Sequence, residues 1–255
     1  MNAIRRSTRK TPDIEGNNLL RALSPHDLAI LRMYLEEWPA GAGTILHQPG
    51  DKVRFAYFPR GASLISYLVI LEDGHAIETA LIGREGAAGG IVSHGHLPAY
   101  TRAEVQLGGM FYRIDLGRLE EAKRRSLTLR HLFDRYADCL MAQIFQSVAC
   151  NAAHSIEQRT AKWLLAAADR TETCDLKLTQ EELAAMLAVG RSYLNRVMGD
   201  LRERKIVQTS RGRITICNAD RLRGLACECN NSVSRHFEEV LKGVYPIANR
   251  EAPAK

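Results

Sequence analysis

Between Leu178 and Lys205 the apolar positions twice fall at helical spacing, with a break between the two runs. Leu183, Met186 and Leu187 share one helix face, and Leu194, Val197, Met198 and Leu201 share another. Thr179 followed three residues later by Glu182 has the pattern of a capping box, which predicts that the first helix starts near Gln180. Ala184 and Ala185 are small enough for close helix contact, and Gly190 supplies the turn into the second helix. The apolar face of that second helix leaves Arg191, Ser192, Asn195 and Arg196 pointing outward near its start. Those are the positions from which a recognition helix reaches base edges. Ile206 to Ile216 then gives two β-prone runs around Arg211-Gly212, a hairpin placed like a wing.

Upstream the period changes. Twelve of the nineteen glycines lie between residues 41 and 112, where Phe55 to Phe58, Ser63 to Ile70 and Met110 to Ile114 alternate with Gly, Pro and Asp turns. This predicts an antiparallel β-roll or barrel. Before it, Ser24 caps a helix with Pro25 at its first position and Leu28, Leu31 and Leu35 on its buried side. From Leu129 the positions Phe133, Tyr136, Leu140, Ile144 and Val148 recur every three or four residues, a stripe of the kind two helices use to pair. These residues are the expected dimer interface, because a helix-turn-helix commonly reads two half-sites. Ser155 can cap a further helix through Trp163, Leu164 and Leu165, and Thr171 to Leu178 reads as a connection.

Charge sharpens the picture. Of a net charge of +6, residues 190 to 213 hold seven cations against Asp200 and Glu203. Arg5, Arg6, Arg9 and Lys10 form a second basic run. A basic patch on a near-neutral body is the electrostatic footprint of a nucleic-acid binder. No stretch approaches the roughly 18 apolar residues of a membrane span, and no secretory hydrophobic segment opens the chain, so a cytoplasmic protein is expected. Of six cysteines, Cys139, Cys150, Cys174, Cys217, Cys227 and Cys229, the last two form the only close pair. No second Cys/His pair is evident beside them in the sequence, so they are read as free thiols.

Taken in order, these elements resemble the Crp/Fnr transcription regulators over residues 18 to 225. The family's recognition-helix pattern is matched by Val189-Gly190-Arg191-Ser192-Tyr193-Leu194-Asn195-Arg196, with Ser192 where the family usually has Glu and Tyr193 where it has Thr. The resemblance implies an α+β fold: an N-terminal jelly-roll-like antiparallel β-roll, a long dimerisation helix and a C-terminal winged helix-turn-helix. The expected divisions are a basic flexible tail (1–17), a β-roll sensor domain (18–125), a dimerisation helix (126–154), the DNA-binding domain (155–229) and a C-terminal extension (230–255). Expected DNA contacts are Thr179, Gln180, Arg191, Ser192, Tyr193, Asn195 and Arg196, with Thr209, Arg211 and Arg213 of the wing on phosphate. The expected partners are double-stranded DNA, a second copy of the chain and RNA polymerase, with no membrane.

Members that bind cyclic nucleotides hold the ribose with a Gly-Glu pair and the phosphate with Arg-Ser or Arg-Thr before Ala-x-Val. Here, in the stretch Gly83 to Ile91, either Gly90 or Ile91 occupies the position of that Glu and neither supplies a carboxylate, and Thr101 stands at the phosphate position with Arg102 shifted by one. Cyclic AMP is therefore not the expected effector, and no cofactor is predicted. Gly83, Arg84, Gly89, Gly90, Thr101 and Arg102 define the candidate effector pocket. Oxygen-sensing members use an N-terminal cysteine cluster, whereas no Cys precedes Cys139. A single His such as His47, His75 or His131 could ligate haem.

Two other classes fit less well. A cupin-like metal enzyme is suggested by His94-Gly-His96 with Glu104, but seven residues separate His96 from Glu104 where three or four are usual. A protein-binding adaptor would expose aromatics rather than seven cations, and only Tyr193 fits that role. No catalytic residue and no metal ligand is predicted.

Overall fold

The computed structural model describes residue 14, residues 16–91 and residues 97–242. The basic run at Arg5 to Lys10 and the pair His94 and His96 lie outside the described residues. Two short helices lead, α1 (Asn18–Arg21) and α2 (Pro25–Arg32). Ser24 caps α2, accepting from Asp27 N at 3.1 Å with Pro25 in the first turn, and the helix ends before Leu35.

Eight strands follow: β1 (Glu36–Ala40), β2 (Ile45–His47), β3 (Phe55–Pro59), β4 (Leu64–Ile70), β5 (Ala76–Ile82), β6 (Ala88–Gly89), β7 (Arg102–Leu107) and β8 (Gly109–Asp115). They form two antiparallel sheets, ordered β1-β8-β3-β6 and β2-β7-β4-β5. The two-residue period sets which side chains face inward. Along β7, Ala103, Val105 and Leu107 are buried while their neighbours are half-exposed. β3 is covered on both faces. Tyr57 packs inside the roll with Ile65, Ile82 and Phe111, while Phe58 packs outward against the helices.

Helix α3 (Leu116–Arg125), capped by Asp115, and the 27-residue α4 (Leu127–Ala153) cover that outer face. The first half of α4 serves the roll. Leu129, Leu132, Phe133 and Tyr136 are at most 1% exposed and share a core with Leu31, Phe58 and Tyr112. Phe133 and Tyr136 are therefore not free to meet a second chain, which corrects the expected dimer stripe. A stripe read from spacing alone does not say which neighbour fills it. Downstream the exposed apolar positions are Met141, Ile144, Phe145 and Val148, with Leu140 half-buried.

Tyr136 also ties α4 to the roll by a reciprocal bond. Its hydroxyl accepts from Ala87 N and donates to Ala87 O, both at 2.9 Å. It sits where a side chain on Gly86 would clash with the ring and hydroxyl. Tyr136→Phe strands two buried backbone groups and is expected to cost about 2–4 kcal/mol, read as a lowered denaturant midpoint. An unchanged midpoint contradicts this role.

Past a break at His154, Ser155 opens α5 (Ile156–Thr171) with a full capping box to Gln158. The stretch expected as a connection contains β9 (Asp175–Leu176), which pairs with the wing. Then come α6 (Gln180–Met186), α7 (Arg191–Glu203), β10 (Val207–Ser210), β11 (Arg213–Ile216) and α8 (Ala219–Arg223). The expected boundary at residue 230 falls inside a last helix, α9 (Cys229–Leu241). It lies along α4, with Phe237 edge-on to Tyr136 at 6.2 Å and Arg135 donating to Val240 O at 2.9 Å.

The winged module docks on the roll of its own chain. Leu64, Leu81 and Leu107 join the apolar core built on Trp163, Leu164 and Leu201. Around it, Trp163 Nε1 donates to Glu78 at 2.8 Å, Arg170 donates to Glu85 at 2.9 Å, and Arg84 pairs with Glu172. Burial raises the Glu78 carboxyl above its usual range, opposed by hydrogen bonds from Ser66 and Trp163 and by the charges of Lys162 and Arg170. A raised carboxyl binds its proton more tightly folded than unfolded. Its contribution is complete at acid pH and is lost as pH rises through the raised value. Glu78→Gln is expected to flatten thermal stability across that window, and a wild-type-like pH profile contradicts the assignment.

Candidate nucleic-acid interface

The helix-turn-helix is built from local rules that hold residue by residue. Thr179 caps α6, accepting from Glu182 N at 3.1 Å, and the Glu182 carboxylate accepts from Thr179 N at 2.7 Å. The Thr179 hydroxyl also donates to that carboxylate at 2.7 Å, so it is engaged within the cap. Gly190 is the extended N-cap of α7 (φ −64°), and the left-handed residue of the turn is Ala188 (φ 53°). The turn is thus made two residues earlier than the glycine. Leu194, Val197, Met198 and Leu201 are buried in the module core.

The opposite face of α7 is open. Arg191, Ser192, Tyr193, Asn195 and Arg196 are exposed at its start, beside half-buried Gln180. Arg191 pairs with Glu181. The Arg196 guanidinium lies over the Tyr193 ring, 4.8 Å from its centroid, and the Tyr193 hydroxyl donates to Glu157 at 3.2 Å. Stacking of this kind holds a planar fork in place while leaving its N–H donors free. No side chain caps the α7 N-terminus, so its first backbone N–H groups point outward, where an anion is favoured.

The wing follows with β10 paired to β11 and Gly212 at φ 70° between them. Arg211 is exposed at the tip. Thr209 is half-buried and accepts from Arg202 at 3.3 Å, while Arg213 pairs with Asp175 of β9. Both arginine–carboxylate pairs lie at the surface, where such pairs contribute little and a phosphate can replace the carboxylate.

The expected effector pocket separates into two places. Gly89, Gly90 and Thr101 line a 190 Å³ cleft in the roll together with His47, Tyr67 and Leu116. Among its described lining residues there is neither an arginine or lysine nor a carboxylate. The Gly89 N–H is taken by the Tyr67 hydroxyl at 2.7 Å, and its φ of 106° and its contact with β3 account for the glycine without a ligand. Gly83 and Arg84 lie elsewhere. Gly83 abuts Arg170, and Arg84 lines a second cleft with Asp169 and Phe237. Arg102 donates to Gln48 at 2.8 Å and lies 3.8 Å from Glu104.

Of the three haem-ligand candidates, His47 lines the roll cleft, where burial lowers its imidazole and its Nδ1 has no hydrogen-bond partner among the described residues. His75 is exposed beside Asp73, and His131 is exposed on α4. The fold also corrects one cysteine reading. Cys227 and Cys229 do have a second pair, Cys150 and His154 from the end of α4. Their i, i+4 spacing on a helix was the available signal, hidden by a sequence separation of more than seventy residues.

The Crp-like helix-turn-helix domain family matches residues 158–225. No curated protein matches the chain in sequence. Several solved structures share its fold, three of which follow. FixK2 from Bradyrhizobium japonicum is 15% identical with a TM-score of 0.64, covering 76% of this chain and 98% of that one. The c-di-GMP responsive global regulator CLP from Xanthomonas campestris is 14% identical with a TM-score of 0.60, covering 76% and 99%. A Crp/Fnr-family transcriptional regulator from Thermus thermophilus is 19% identical with a TM-score of 0.53, covering 74% and 97%.

Proposed function

We propose that the chain, which matches the Crp-like helix-turn-helix domain over residues 158–225 and shares its fold with FixK2, is a Crp/Fnr-type transcription regulator that acts as a homodimer on a two-fold symmetric duplex site and is not controlled by cyclic AMP. The observation that carries this reading is the open start of α7, where Arg191, Ser192, Asn195 and Arg196 project from a helix whose other face is buried. Arg191 and Arg196 read guanine edges bidentately, Ser192 and Asn195 add adaptable hydrogen bonds, and Arg211 and Arg213 hold phosphate. Tyr193 acts by stacking Arg196.

Dimerisation is assigned to the second half of α4. Met141, Ile144, Phe145 and Val148 present apolar surface at helical spacing, and a patch left exposed in this way calls for a partner. Two copies then set two recognition helices about one DNA turn apart, ~34–36 Å. The reading places the protein in the cytoplasm. Among the described residues no helix is long and apolar enough to cross a membrane. Control of transcription then depends on where the site lies relative to a promoter and, for activation, on contact with RNA polymerase.

Against cyclic AMP stands the roll cleft, whose described lining offers neither an arginine nor a lysine for a phosphate and no carboxylate for ribose hydroxyls. Calorimetric titration with cyclic AMP is expected to be silent in the micromolar range, and saturable heat there overturns that part. Fluorescence anisotropy on duplex DNA tests the rest. With six or more phosphate contacts, affinity falls about 10³-fold or more between 50 and 200 mM salt. Weak, salt-independent association counts against DNA as the ligand.

A further inference from the structure

We propose that Cys150, His154, Cys227 and Cys229 form a tetrahedral zinc site that fastens the C-terminal helix to the hinge between α4 and α5. One ligand atom from each lies within 4.8 Å of every other. Cys150 Sγ and Cys227 Sγ are 3.7 Å apart, and Cys229 Sγ is 3.6 Å from His154 Nδ1. A single Zn²⁺ with Zn–S of ~2.3 Å and Zn–N of ~2.05 Å requires tetrahedral edges of about 3.8 Å between sulfurs and about 3.6 Å from sulfur to nitrogen. Both edges match. Packing of small apolar thiols accounts for three buried cysteines, and the His154 nitrogen beside Cys229 Sγ adds a fourth donor to the same cluster.

The donor set selects the metal. Three thiolates and one imidazole in a compact tetrahedron suit zinc, whereas an iron–sulfur cluster spreads its cysteines over separate irons. Four protein ligands leave no open position, so the site holds structure rather than activating water. Supporting contacts are present. Gln146 Nε2 donates to Cys229 Sγ at 3.1 Å, as ligands in metal sites are commonly oriented. Arg159 donates to Leu187 O at 2.8 Å, at the end of α6, and its guanidinium lies in the field of Cys150 and Cys227. That cation offsets the net negative charge of zinc with three thiolates.

The position gives the site its consequence. Cys150 and His154 close α4, and Cys229 begins α9, which runs back along α4 to Phe237 and Val240. Zinc therefore joins the end of the long helix, the segment that follows α8 and the start of the C-terminal helix at one point. Loss of the ion frees the start of α9.

The test uses the full chain supplied with Zn²⁺ and freed of excess ion. Elemental analysis is expected to find about one zinc per chain, and Co²⁺ in its place is expected to show thiolate charge-transfer absorption with tetrahedral d–d bands. Cys227→Ser and Cys229→Ser should lose the ion, whereas Cys174→Ser and Cys217→Ser, at exposed positions, should keep it. In the zinc-loaded protein only Cys174 and Cys217 should react rapidly with a thiol reagent, and a chelator should add Cys150, Cys227 and Cys229. Folded wild-type protein without zinc, iron in its place, full retention in both Cys227→Ser and Cys229→Ser, or a cobalt spectrum without thiolate bands each overturns the proposal. The readouts do not involve DNA, so this result and the regulatory reading stand or fall separately.

Discussion

Arg196→Ala is expected to weaken binding to the selected site about 10- to 100-fold, a cost of ~1–3 kcal/mol, and to relax preference at one base of each half-site. The guanidinium is exposed and already oriented by its stack on Tyr193, so its removal takes away base contacts rather than packing. Arg196→Lys should recover charge but not the bidentate fork, and the relaxed preference should persist. Arg213→Ala provides the contrast. Its side chain is on the wing, paired with Asp175, and its loss should weaken cognate and random duplexes alike while lowering the salt slope by about one. Anisotropy titrations on both duplexes check this, and equal losses on both for Arg196→Ala contradict the base-reading role.

Phe145→Asp is expected to dissociate the dimer and lower affinity for the two-fold site by about 10²–10⁴-fold, the range lost when two linked half-sites become independent. Phe145 is 65% exposed, as is Val148, so a carboxylate there disturbs the protomer little. Sedimentation equilibrium should show wild type as a dimer and the variant as a monomer with an unchanged circular dichroism spectrum. A wild-type monomer, or a variant that remains dimeric, contradicts the assignment of this face. Tyr136→Asp would unfold the protomer instead, which is why the two halves of α4 must be kept apart.

What was legible in the sequence was local. Caps at Ser24, Ser155 and Thr179 and the wing glycine Gly212 follow from short-range rules, and each appears where the sequence places it. The α4 stripe was visible as a period, but burial of Phe133 and Tyr136 by the roll depends on contacts with β3 and α2 that no spacing reveals. The residues of the candidate pocket are separated for the same reason. Gly83 and Arg84 are close to Gly89 in sequence, yet β5 delivers them to the winged module and β6 delivers Gly89 to the roll cleft. The four-residue Cys and His cluster needed α9 to fold back on α4, and the C-terminal segment gave no sign of its partner.

Selection of bound duplexes from a random DNA pool with the purified 255-residue protein reads out its target directly. A two-fold symmetric consensus is expected, with half-site centres about one helical turn apart, ~34–36 Å, and guanines among the positions that Arg191 and Arg196 read. A pool that stays random, or that enriches a single unpaired half-site, would contradict it.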